Sequence, residues 1–197
     1  MEKRKIGLFG GTFDPVHNGH LIIAEYLRDE LKLDEVWFIP TKLHPFKSSQ
    51  LISSDYDRME MLKLAISSNP YFRTSDVEIK RPGVSYTIDT INELNQKYAD
   101  QSAKFFFFMG MDNVNEFYRW KSPQQILEKC QVVAFGRPGF VPNKHAKPFL
   151  HYIQFIQVPL LEISATFIRQ RVKEGRSIRY LVPDKVIDYI KKKQLYK

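Results

Sequence analysis

The chain has 197 residues, of which 43% are hydrophobic and 26% charged; its formal net charge is +8 and its pI about 9.4. At about 100–200 residues per domain this predicts a single domain over residues 1–197, large enough to bury a core, and the 14% aromatic share argues against disorder. One cysteine, Cys130, excludes an intrachain disulfide and a multi-cysteine metal site, and beside Ile126 and Leu127 it reads as a buried, inert thiol. No apolar stretch follows the charged first residues and no apolar run approaches the ~20 residues of a membrane span, so the expectation is a cytoplasmic protein with no membrane partner. The positive charge fits either nucleic acid or small anionic substrates, and charge alone does not separate them.

In chain order, residues 5–9 form a short apolar run ending in Gly10-Gly11, which reads as a strand and a tight loop. From Gly19, Ile23, Leu27 and Leu31 recur every four residues, predicting an amphipathic helix. Residues 35–39 are apolar on both faces, as in a strand of a covered parallel sheet, which completes a βαβ unit. Helices are predicted over 58–68, 87–98, 111–118, 123–129, 166–173 and 184–192, and strands over 74–79, 105–109, 131–135 and 152–157. Residues 40–54 and 140–148 lack periodicity and read as loops. The alternation implies an α/β protein with a Rossmann-like open, mostly parallel sheet flanked by helices, and a small C-terminal helical extension.

Residues 10–20, GGTFDPVHNGH, join the first strand to the first helix. Ligands of open α/β sheets bind at the carboxyl ends of strands, glycines let backbone N–H groups approach a phosphate, and a helix start presents its positive end there. His17 and His20 are three apart at that helix start, so both imidazoles can face one side and serve a triphosphate. A zinc site lacks a third ligand nearby. The glycines do not fit the dinucleotide pattern, and the Gly-Lys-Ser/Thr of a P-loop is absent. Residues 136–139, GRPG, follow a strand instead of bridging two helices, against an RNA-binding KH module.

The eleven-residue loop looks like the signature of the nucleotidyltransferase superfamily with the H-x-G-H motif, and from Ile6 to about Tyr196 the chain resembles bacterial nicotinate-mononucleotide adenylyltransferases. The resemblance implies an ATP site at Gly10, Gly11, Thr12 and Phe13, at Gly110 and Asp112 of a G-x-D segment, and at Ser164, Thr166 and Ile168 of an I-S-x-T-x-I-R segment. It implies catalytic roles for His17, His20, Arg169 and Lys47. Nicotinate mononucleotide would be held by Tyr86 and Thr87 of an S-Y-T segment, by stacking on Trp120, and by Arg137. Two positions depart from the family pattern. Ala165 replaces a serine, and His44-Pro45-Phe46-Lys47 stands where the family has P-P-H-K, so that Phe46 replaces a histidine.

What the resemblance implies is therefore adenylyl transfer from ATP to nicotinate mononucleotide, a step of NAD biosynthesis, with Mg2+ delivered by ATP, no metal held by the protein and no nucleic-acid partner. Pantetheine-phosphate adenylyltransferase, a cytidylyltransferase and, more distantly, a basic RNA-binding module remain the alternatives. The sequence leaves open oligomeric state, homo-oligomer included, and the degree of preference for nicotinate over nicotinamide.

Overall fold

The computed structural model describes residues 3–43, 45, 53–99, 102–136, 139–159 and 161–197. Strands β1 (Arg4–Gly11), β2 (Glu35–Pro40), β3 (Phe72–Thr74), β4 (Ala103–Gly110), β5 (Gln131–Gly136) and β6 (Ile153–Gln157) form one sheet in the order β3-β2-β1-β4-β5-β6. Every adjacent pair is parallel. All six residues of β2 are buried, the sign of a strand covered on both faces.

Alternate strand residues feed two cores. Phe9, Phe38, Phe106 and Phe108 meet helices α1 (Asn18–Glu30), α2 (Asp55–Ile66), α7 (Ala165–Lys173) and α8 (Asp184–Lys193) on one face. Ile6, Leu8, Trp37, Ile39 and Phe105 meet α4 (Thr87–Lys97) and α6 (Pro123–Lys129) on the other, together with the single turns α3 (Val77–Lys80) and α5 (Met111–Val114). Burial of each such side chain contributes about 1.5–3 kcal/mol. Gly7 is required between the faces, because a Cβ there would stand 2.6 Å from the ring of Phe108.

The strand order reverses between β1 and β4, so the chain leaves their carboxyl ends in opposite directions and opens a crevice there. This topological switch point lies at the Gly10-Gly11 loop.

Three expectations need correction. The strand predicted over 74–79 is β3, ending at Thr74, followed by the helical turn α3. Ser75 N–H makes the last rung, to Phe38 O. With β2 ending at Pro40 the chain turns inward, burying Val77 and Glu78, and the apolar spacing of Val77 and Ile79 only imitated a strand. The helix predicted over 111–118 is split into α5 and a 3-10 turn, Phe117–Arg119. Asn115 breaks it by binding the backbone of Val141 and Asn143. Helix α2 starts at Asp55, earlier than Arg58, because Ser54 Oγ caps it by accepting from Asp57 N–H.

Cys130 is buried as expected, and burial pushes its thiol up to about 12. Among the described residues no helix is long and apolar enough to cross a membrane.

Candidate active site

The loop from β1 to α1 is built around two histidines. His17 is the N-cap of α1 and His20 sits in its first turn, with their rings stacked at 3.6 Å between centroids and 22° between planes. The His17 backbone N–H donates to His20 Nδ1 at 3.2 Å. An accepting Nδ1 puts the proton of a neutral His20 on Nε2, where it can be donated to a ligand. Gly19 makes room for the pair, since a Cβ there would come 3.1 Å from His17 Nδ1.

Both rings are neutral at pH 7. Burial lowers His17 to about 4. Burial, and then the neighbouring His17, hold His20 well below the ordinary value. The pair is thus a set of uncharged donors at a positive helix end, suited to an anion.

The loop is fastened from below by side chains far apart in sequence. Arg58 is fully buried; its Nη1 donates to Thr12 O at 2.7 Å and its Nη2 pairs with Asp55 at 2.6 Å. Arg169 Nη1 donates to Asp14 O at 2.7 Å. Tyr196 O–H donates to Asp14 Oδ1 at 2.6 Å and accepts from Ser53 Oγ at 2.9 Å. Ser53 N–H donates to Asp14 Oδ2 at 3.3 Å. Between these clamps Phe13 is held at a φ of +50°, with its ring edge-on to His20 at 5.0 Å.

Across the crevice, α4 opens without a side-chain cap, leaving the first backbone N–H groups of the Tyr86-Thr87 turn for a ligand. Trp120, partly buried, stands edge-on to Phe107 at 5.9 Å and tilted on Phe117 at 5.4 Å. Lys121 joins these two parts: its Nζ bonds both carboxylate oxygens of Asp89 in α4 and lies 4.8 Å over the Tyr86 ring. A cavity of about 660 Å3 lies between the two sides, in the size range of ligand sites.

Of the predicted residues, Gly10, Gly11, Thr12, His17, His20, Tyr86, Thr87, Gly110, Trp120 and Ser164 line this one cavity. Ser164 also caps α7, accepting from Phe167 N–H at 3.1 Å, and Ala165, where the family pattern has serine, is at the wall. Other predicted residues stand apart. Phe13 and Ile168 are buried in the core below, and the Ile168 amide bonds Ser164 O. Asp112 and Thr166 are exposed, and Thr166 Oγ1 accepts from Arg169. Lys47 and Arg137, with His44 and Phe46, lie outside the described residues.

Sequence reasoning missed Arg58, Ser53, Glu78, Lys121 and Tyr196. Arg58 carried a signal, because its spacing from Met61 and Leu62 places it on the buried face of α2. Tyr196 carried none, being 182 residues from its partner.

Comparison with known proteins shows the family of the chain. The family described as cytidylyltransferase-like matches residues 8–171. The nicotinate-nucleotide adenylyltransferase of Bacillus subtilis is 41% identical over 193 residues, covering 98% of both chains. A probable nicotinate-nucleotide adenylyltransferase of Desulfitobacterium hafniense is 42% identical over 98% of this chain and 96% of its own. Among solved structures, the nicotinic acid mononucleotide adenylyltransferase of Plasmodium falciparum, complexed with NaAD, has the same fold at a TM-score of 0.79 and 19% identity, covering 99% of this chain and 98% of that one. The fold and site thus define a nucleotidyltransferase of the cytidylyltransferase-like class. Within that class, the chain belongs to the nicotinate-nucleotide adenylyltransferase family of enzymes.

Proposed function

We propose that this chain, as one catalytic domain, joins ATP and nicotinate mononucleotide into nicotinate adenine dinucleotide and pyrophosphate. The observation that carries the reading is a single cavity at the β1/β4 switch point. It has a neutral histidine pair at one helix start, and a second, uncapped helix start beside Trp120 opposite. The first suits a triphosphate, and the second suits a carboxylate on an aromatic ring.

A phosphate oxygen of the mononucleotide attacks the α-phosphorus of ATP in line. The new P–O bond forms as the bond to the bridging oxygen of the β-phosphate breaks, and pyrophosphate leaves with the electron pair. The attacking oxygen is already ionised, so no general base and no protein nucleophile is required. Catalysis is positioning and charge stabilisation. His17 and His20 donate to the phosphates, while Arg169 and Lys47 neutralise the leaving pyrophosphate. ATP enters as its magnesium complex. Such a metal would be held mainly by phosphate oxygens and water.

The test is pyrophosphate release with magnesium and ATP, comparing nicotinate mononucleotide, its amide and phosphopantetheine as acceptors. A strong preference for the nicotinate acid is expected. Preference for phosphopantetheine would replace the acceptor, and release with cytidine triphosphate alone would replace the donor.

A further inference from the structure

The cavity wall contains one buried acid that the reaction above does not use. Glu78, on the turn α3, is 8% exposed and lines the cavity together with Thr41, Ser85, Tyr86 and Thr87. Its Oε1 accepts from Thr90 Oγ1 at 2.8 Å, whereas its Oε2 is fully buried and has no hydrogen-bond partner. The nearby cations are committed elsewhere. Arg81 pairs with Glu93 and donates to Thr90, and Lys42 Nζ donates to Ile79 O.

Burial raises the pKa of this carboxyl, against the opposing pull of Thr90, Ser85, Arg81 and Thr41, which surround it.

Glu78 also occupies a mechanical junction. Thr90 lies in the first turns of α4, and its hydroxyl is 3.4 Å from Tyr86 O. Ser85 N–H donates to Leu43 O, and Lys42 N–H donates to Ser85 Oγ. The end of β2, the turn α3 and the start of α4 therefore meet at this one carboxyl. We propose that Glu78 is a positioning residue that sets the Tyr86-Thr87 turn at the height where its backbone N–H groups receive the mononucleotide's carboxylate, an inference that rests on the acceptor assignment above.

The experiment measures both Michaelis constants for the wild type, Glu78→Ala and Glu78→Gln, with thermal unfolding as the control for folding. Glu78→Ala is expected to raise KM for nicotinate mononucleotide about 10-fold or more while leaving KM for ATP within about two-fold. Glu78→Gln, which keeps the shape and an oxygen to accept from Thr90 Oγ1, is expected to recover most of that loss. Unchanged constants in Glu78→Ala, or equal rises in both, overturn the positioning role. Glutamine as damaging as alanine overturns positioning through the Thr90 contact. If Glu78→Ala does not fold, Glu78→Asp takes its place; it shortens the reach to Thr90 and is expected to raise only the mononucleotide constant. A wild type that forms no dinucleotide from nicotinate mononucleotide overturns the acceptor assignment itself, a result distinct from the others.

Discussion

The histidine pair shows how much one residue's environment adds to its identity. The three-residue spacing of His17 and His20 at a helix start suggested that both imidazoles share a side, and they do, stacked at 3.6 Å. Their protonation state was not legible, because it depends on burial, which lowers His17 to about 4. A neutral pair donates hydrogen bonds without the desolvation cost of a charge. Removing His20 Nε2–H by His20→Ala is expected to lower turnover by roughly 100-fold or more, the scale of losing one pre-organised donor. The same change leaves the His17 N–H without its acceptor and costs about 1 kcal/mol of stability. Steady-state kinetics beside thermal unfolding check both numbers. Near-normal turnover in a folded His20→Ala protein would remove the histidine from the mechanism.

At the scale of elements, the loop of residues 10–20 is a strained span gripped by α2, α7 and the segment after α8. Tyr196 reaches back from that segment to Asp14, and Arg58 reaches up from α2 to Thr12. Tyr196→Phe keeps the ring and deletes two hydrogen bonds, at an expected cost of about 1–3 kcal/mol. If the tyrosine holds the phosphate loop in place, kcat falls about 10-fold while KM for the mononucleotide stays within about two-fold. Full kcat in a folded Tyr196→Phe protein would mean that the hydroxyl only secures the end of the chain. The elements themselves were readable to differing degrees. Helices α1 and α4 declared themselves by period, and β2 and β4 by unbroken apolar runs. The turn α3 did not, because the partner strand's length, not local pattern, decides where β3 stops. Nor did the break after α5, which Asn115 makes by binding the 141–143 segment.

At the scale of the molecule, the buried groups give the protein without ligand a predictable response to pH. His17 and His20 have folded values below the ordinary 6.5, so between those values the unfolded chain binds more protons. Stability is fully present above about pH 6.5 and falls as the pH drops toward 4, with His17 alone accounting for on the order of 3 kcal/mol at about 1.4 kcal/mol per unit. Glu78 has the opposite sign, since its raised value makes the folded state the better proton binder above 4.5. The two histidines outweigh that one carboxyl. Below about pH 4, protonation of Glu35 and Asp57, both lowered by their partners, adds to the loss. Urea titrations at pH 7.5, 6 and 5 check the slope. A midpoint that rises toward pH 5 would show that the histidines are not buried neutral.

The sequence alone determined that the chain alternates strands and helices, which loop carries the motif, and which family it resembles. These follow from local facts: apolar period, glycine placement and an eleven-residue motif. It also named ten residues of the cavity wall, and Gly10, His17, Tyr86, Trp120 and Ser164 among them each stand at the end of a strand or at the cap of a helix or 3-10 turn. Tertiary structure alone decided the all-parallel order β3-β2-β1-β4-β5-β6 and the meeting of the loop with Arg58, Arg169 and Tyr196. It also decided the burial of Glu78 beside the α4 start, with one oxygen unpaired. These depend on which distant groups exclude water from each other, and neither contact nor dielectric is written in the spacing of residues along a chain.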